Sequence, residues 1–195
     1  MNSECPGVVR LRDRLIEVRF HGRGGQGAWT ASLLLAQAGL KEEKYIQSFP
    51  SFGPERAGAP ITAYTRISDK PIYIHSGVYE PDVVVVLDPT LLGPDVISGI
   101  KSETKLVINT ELTPDNVKNS LGLKAAEIWV VDATGLALTV LGRPITNTAM
   151  LGAFVKATEL VKLDSLLEVT NERFAGRIGE LNKEVIKAAY KEATK

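Results

Sequence analysis

The stretch DVVVVLD, residues 82–88, constrains the fold more than any other part of the chain. Four consecutive valines favour extended backbone, because branching at Cβ restricts χ1. Both alternating faces of the run are apolar, so the strand must be covered on both sides. That is the environment of a parallel sheet with helices on each face. Asp88-Pro89 then supplies a capping side chain followed by a proline at a first helical position. The same grammar recurs: KLVINT (105–110) runs into Thr113-Pro114, and EIWVVDA (127–133) gives a further buried strand. LIEVRFH (15–21) alternates apolar and charged residues, and KYIQSF (44–49) reads as a second strand. ITAYTRIS (61–68) and KPIYIH (70–75) predict an antiparallel hairpin around Ser68-Asp69. From about residue 146 the pattern is helical throughout. The expected class is α/β, a doubly wound and mainly parallel sheet with a β-hairpin insertion and a helical C-terminal third.

The 195 residues divide into an N-terminal lead, 1–14, and one domain over 15–195. Lys plus Arg and Asp plus Glu both total 23, so no net basic field draws nucleic acid or an anionic membrane. Cys5 is the only cysteine, which excludes an internal disulfide and a four-cysteine cluster. With only His21 and His75 besides, a closed metal site is not expected. MNSECPGVVRLRDR has no apolar segment of signal-peptide length, and no run reaches ~18 apolar residues. The expected setting is cytoplasmic.

The fragment FHGRGGQGAWT (20–30) lies between the first strand and AWTASLLLAQAGL (28–40), a helix with Gly39 as its expected C-cap. Gly22, Gly24 and Gly27 satisfy G-x-G-x-x-G. Glycines let backbone N–H groups approach a ligand closely, and a helix N-terminus favours an anion. Arg23 strengthens such a cradle if it points inward. The competing reading is a tight strand-to-helix turn that uses glycine for positive φ and close packing. A nicotinamide site wants an acid ending the second strand, ~20 residues on. Here that strand ends in Phe49-Pro50-Ser51, and the nearby acids Glu42 and Glu43 precede it.

PSFGPERAGAP (50–60) is stiffened by three prolines and carries Glu55 and Arg56. Such a loop suits a ligand or protein contact, against an ordinary solvated connection. Arg56 can grip a carboxylate or phosphate, or pair with a neighbouring subunit. His21 and His75 have no identifiable partner and read as structural. Capping by Thr146 accounts for Asn147, Thr148 and Met150. No catalytic triad, nucleophile elbow or P-loop is present.

EVRFHGRGGQGAWTASLLLAQA, GPERAGAP, HSGVYEPDVVVVLDPTLL and NTAMLGAFVKATELVKLDSLLE together resemble the gamma subunit of the 2-oxoacid:ferredoxin oxidoreductases, over roughly residues 15–175. The resemblance implies a Rossmann-like subunit of a complex with alpha, beta and delta-type partners and, indirectly, ferredoxin. That complex converts a 2-oxoacid, pyruvate by default, and coenzyme A to acyl-CoA and carbon dioxide. It implies thiamine diphosphate, Mg and 4Fe-4S clusters in the partner subunits, with no catalytic residue here and no activity in the chain alone. Gly22, Arg23, Gly24, Gly25, Gln26 and Gly27 then form a turn facing coenzyme A or the catalytic subunits. Glu55 and Arg56 then lie at the active-site entrance. The alternatives are a stand-alone NAD or flavin dehydrogenase and a regulatory nucleotide-binding module.

Overall fold

The structure, a computed structural model, describes residues 15–51, 57–123 and 126–195. Its elements in chain order are β1 (Ile16–Arg23), α1 (Ala28–Lys41), β2 (Tyr45–Pro50), β3 (Pro60–Ser68), β4 (Val83–Val86), α2 (Pro94–Ile97) and β5 (Lys105–Asn109). There follow α3 (Pro114–Ser120), β6 (Glu127–Val131), α4 (Ala133–Leu141), α5 (Asn147–Thr158), α6 (Leu163–Arg173) and α7 (Arg177–Glu192). A 3-10 turn, Pro89–Leu91, follows β4.

The six strands form one mixed sheet in the order β2-β3-β1-β4-β5-β6. β1, β4, β5 and β6 are parallel neighbours, while β3 runs antiparallel between β1 and β2. The chain leaves β1 toward β2 on one side and later returns to β4 on the other. The boundary between β1 and β4 is therefore the topological switch point, where folds of this class bind ligands at the carboxyl ends of the strands.

Alternation along each strand separates two cores. Ile16, Val18 and Phe20 of β1, Val83 and Val85 of β4 and Val107 of β5 face α1, α5 and α7. Val84, Val86, Leu106, Ile108, Ile128 and Val130 face the other way, against Val96 of α2 and Val117 of α3. All four valines of β4 are buried, as a strand covered on both faces requires. α1 packs on β1, β2 and β3 and against α5 and α6, and only Leu40 among its aliphatic residues is largely exposed.

Three local expectations are corrected. Residues 70–75 form no strand, because β1 and β2 already occupy both edges of β3 and leave no backbone groups to pair with. That segment is held instead by side chains. The Arg66 guanidinium donates to the carbonyls of Ile74, Ser76 and Gly77. Gly39 lies inside α1, where a Cβ would stand 3.2 Å from Ile46 and 3.3 Å from Ile67, so its role is close packing on the sheet. The left-handed residue that ends α1 is Glu43, with φ 60°. The bond from Lys44 N to Gly39 O closes a Schellman-type end. Finally, Thr146 makes no capping hydrogen bond to α5. Its Oγ1 reaches back to Leu87 O at 3.5 Å, tying the start of α5 to the end of β4.

Candidate functional site at the switch point

The glycine turn joins β1 to α1 at the carboxyl edge of the sheet, and its shape is set by backbone and side chains together. Gly24 N donates to Ala59 O (2.9 Å) and Gly58 N to Gly24 O (3.1 Å). These bonds extend the β1–β3 ladder past Pro60, so the described end of the proline loop is fastened to the turn. Glu55 and Arg56 themselves lie outside the described residues.

Gln26 locks the turn from within. Its Oε1 accepts from Arg23 N at 2.7 Å, and its Nε2 donates to Asp88 Oδ2 at 2.8 Å. Asp88, at the end of β4, is the hub. Its Oδ1 accepts from Thr90 N (2.9 Å) and Thr90 Oγ1 (2.6 Å), which is the expected cap before Pro89. Arg23 Nε stands 3.2 Å from Asp88 Oδ2. Burial alone raises the Asp88 carboxyl. Hydrogen bonds from Thr90 and Gln26, with the Arg23 charge, outweigh that and hold it below its ordinary value.

Arg23 is thus committed to the protein. Besides Asp88 it donates to Thr90 Oγ1 at 2.8 Å and to Gly58 O at 3.2 Å. The turn therefore offers no free guanidinium to an anion. What it offers is backbone. Gly25, at φ 97°, has open space where a side chain would stand. Gly27, at φ 78°, precedes α1, and no side chain caps the first-turn N–H groups.

Gly22 has a different function. A Cβ there would sit 3.2 Å from the Ala28 Cβ, so this glycine permits the close return of the chain. Gly27 adds a contact that sequence reasoning missed, because a Cβ there would lie 2.5 Å from Asn147 Nδ2. Asn147, buried at the start of α5, thus packs on the N-terminus of α1, and its Oδ1 accepts from Thr148 N at 2.8 Å. The one signal for this in the sequence was a polar pair at a helix start. Trp29, in the first turn of α1, is 54% exposed and gives the edge a large apolar surface.

The geometry weakens the dinucleotide reading. β2 is not beside β1, since β3 intervenes, so even an acid ending β2 would be one strand away from the turn. Among the described residues, no three His, Cys, Asp or Glu side chains are grouped to hold a metal ion. Nor is any helix among them long and apolar enough to cross a membrane.

Comparison with known proteins finds relatives along nearly the whole chain. A family model described as pyruvate ferredoxin/flavodoxin oxidoreductase matches residues 17–192. The chain is 55% identical over 177 residues to the common subunit gamma of pyruvate/ketoisovalerate oxidoreductases from Thermococcus kodakarensis, covering 90% of this chain and 96% of that one. It is 50% identical over 179 residues to pyruvate synthase subunit PorC of Methanothermobacter marburgensis, with the same coverage. The crystal structure of the pyruvate oxidoreductase subunit PORC from Thermotoga maritima superposes with a TM-score of 0.85 at 39% identity, covering 93% of this chain and 98% of that one. The chain belongs to the pyruvate ferredoxin/flavodoxin oxidoreductase family, among its gamma (PorC) subunits.

Proposed function

We propose that the chain is the gamma subunit of a multi-subunit 2-oxoacid:ferredoxin oxidoreductase that oxidises pyruvate. The enzyme joins the acyl group to coenzyme A, releases carbon dioxide and passes two electrons to ferredoxin. The observation that carries this reading is the 55% identity to a gamma subunit over 96% of that subunit's length. Residues 15–195 act in it as one unit. Its partners are alpha, beta and delta-type subunits, and its setting is the cytoplasm.

Thiamine diphosphate with Mg supplies the carbanion chemistry and 4Fe-4S clusters carry the electrons, both in the partner subunits. One cysteine in the whole chain cannot supply four thiolates, which supports that division. The Thermococcus relative is named as common to pyruvate and ketoisovalerate enzymes, so selection of the 2-oxoacid falls to the other subunits.

This chain's own contribution lies at the switch point. The turn Gly22-Arg23-Gly24-Gly25-Gln26-Gly27 faces the catalytic subunits and contacts coenzyme A there. The phosphates fit backbone N–H groups at the start of α1, whereas Arg23 is held by Asp88. Trp29 supplies apolar area for subunit contact, and Glu55 and Arg56 lie at the active-site entrance.

The test is Gly25→Asp in the reconstituted complex. A Cβ there meets nothing within 4 Å, but φ 97° strains any side chain, so Gly25→Ala is the control against which the effect of the carboxylate is read. The new carboxylate faces whatever docks on the turn. The expected result is a rise of about tenfold or more in KM for coenzyme A, or loss of assembly on size-exclusion chromatography. Unchanged acetyl-CoA formation in a normally assembled complex refutes the placement.

A further inference from the structure

The two halves of the sheet are covered differently on the face away from α1. α2 and α3 lie on β4, β5 and β6. Over β1, β3 and β2 there is no comparable helix layer among the described residues, and a cavity of about 830 Å³ opens there. That volume falls within the range of small-molecule sites.

Arg19 and His21 line this cavity. They are two residues apart on β1 and so project to the same face. Arg19 is 6% exposed and His21 8%. One Arg19 terminal nitrogen donates to Val96 O (2.9 Å) and Ser98 O (2.7 Å), yet its Nε has no partner among the described residues. Asp95, exposed on α2, also lines the cavity but forms no ion pair with Arg19. His21 Nε2 is buried and equally without a partner. Burial, assisted by the Arg19 charge, pushes the imidazole down to about 4, so it is neutral near pH 7 and adds no repelling charge.

Buried polar groups are nearly always satisfied, and leaving one unmade costs about 1–3 kcal/mol. Two such groups, on residues two apart that both line a roomy cavity, one of them a guanidinium with no ion pair among the described residues, mark a place built for an acceptor. Phe49, Tyr64 and Tyr79 add flat aromatic surface around it. We propose that this cavity binds a small organic oxyanion, a carboxylate or phosphate on a flat body, whose charged oxygens meet Arg19 Nε and His21 Nε2. The site is separate from the glycine turn, whose polar side chains are consumed by Asp88.

The experiment is isothermal titration of the full chain with AMP, benzoate and inorganic phosphate at fixed ionic strength. Saturable one-to-one binding of at least one probe is expected. AMP against benzoate tells a phosphate site from a carboxylate site. Inorganic phosphate should bind more weakly than the organic probe of the preferred class. His21→Leu breaks no hydrogen bond of the free protein, so the variant folds, and it should bind about tenfold more weakly. Arg19→Gln should lose binding altogether. No saturable binding of any probe, or equal affinity in wild type and His21→Leu, overturns the proposal. The readout needs neither the partner subunits nor the reaction, so a negative result here leaves the gamma-subunit reading standing.

Discussion

Asp88→Asn is nearly isosteric, and the geometry says it is nonetheless costly. The carboxylate accepts from Thr90 on one oxygen and from Gln26 Nε2 on the other, beside which the Arg23 guanidinium stands at 3.2 Å. An amide can keep the Thr90 bonds with its oxygen, but its NH2 then faces the Gln26 donor and the Arg23 cation. Rotating the Gln26 amide does not help, because Gln26 Oε1 already accepts from Arg23 N at 2.7 Å, and a flip puts a donor there. A hydrogen bond to a charged group contributes about 1.5–3 kcal/mol. The Arg23 side chain is 35% exposed, so the ion pair itself adds only a solvent-screened fraction of a kcal/mol. The expected loss is about 2 kcal/mol at pH 7, or roughly 4–8 °C in Tm for a domain of this size. Urea denaturation of the wild type and variant measures it. In a Gln26→Leu background the penalty should shrink by about 1 kcal/mol, since one opposed donor is gone. A variant within 0.5 kcal/mol of wild type, or a penalty unaltered by Gln26→Leu, refutes the reasoning that Gln26 and Asp88 clamp the turn.

Arg66→Met should cost about 3 kcal/mol in the same denaturation assay. Arg66 is 1% exposed, pairs with Glu17 at 2.7 Å and holds three carbonyls of the 74–77 segment; a loss below 1 kcal/mol would sink this account. Gly152→Ala in α5 reverses the usual helix gain of about 1 kcal/mol. Its Cβ would stand 2.2 Å from Ile186 O of α7, so a net loss of about 1–3 kcal/mol is expected, and equal or greater stability would show that the helices can part freely. His21 gives a pH dependence of defined sign. Its folded pKa, about 4, lies below the unfolded 6.5, so the unfolded chain binds the extra proton. The native state keeps its full stability above pH 6.5 and loses up to about 3 kcal/mol as pH falls toward 4. His21→Leu should flatten that limb of a pH-stability curve.

Elements that depend on nearest neighbours in sequence were legible from it. Val83–Val86 could only be a doubly covered strand, and the Asp88-Pro89 and Thr113-Pro114 starts form as capping chemistry dictates. What escaped was non-local. Nothing within ITAYTRIS says that β3 will slot between β1 and β2. Once it does, both sides of β3 are taken and KPIYIH cannot pair with it as a hairpin, however suitable its residues. The same holds for the site. The six turn residues were found by spacing, but Gln26 acts through Asp88, 62 positions away, and Gly27 is required by the buried amide of Asn147.

β1 shows why alternation alone misjudges this chain. IEVRFH reads as an apolar face for the core and a charged face for water, the usual division in an antiparallel neighbourhood. Yet Arg19 and His21, on the charged face, are both buried, and so is Arg66, which lies opposite Glu17 on β3. The charges are managed by position along the strand. At the amino end Arg66 is fully engaged, by Glu17, by Gln47 Oε1 at 3.2 Å and by carbonyls, so that region is structure. Toward the carboxyl end Arg19 and His21 keep unsatisfied nitrogens, and the strand then enters the turn whose own charges are neutralised by Asp88. A fold that satisfies one buried guanidinium completely and leaves its neighbour on the same face short of an acceptor is not failing to pack. It places the deficit on the half of β1 that runs toward the switch point, where a ligand rather than the protein completes the bonds.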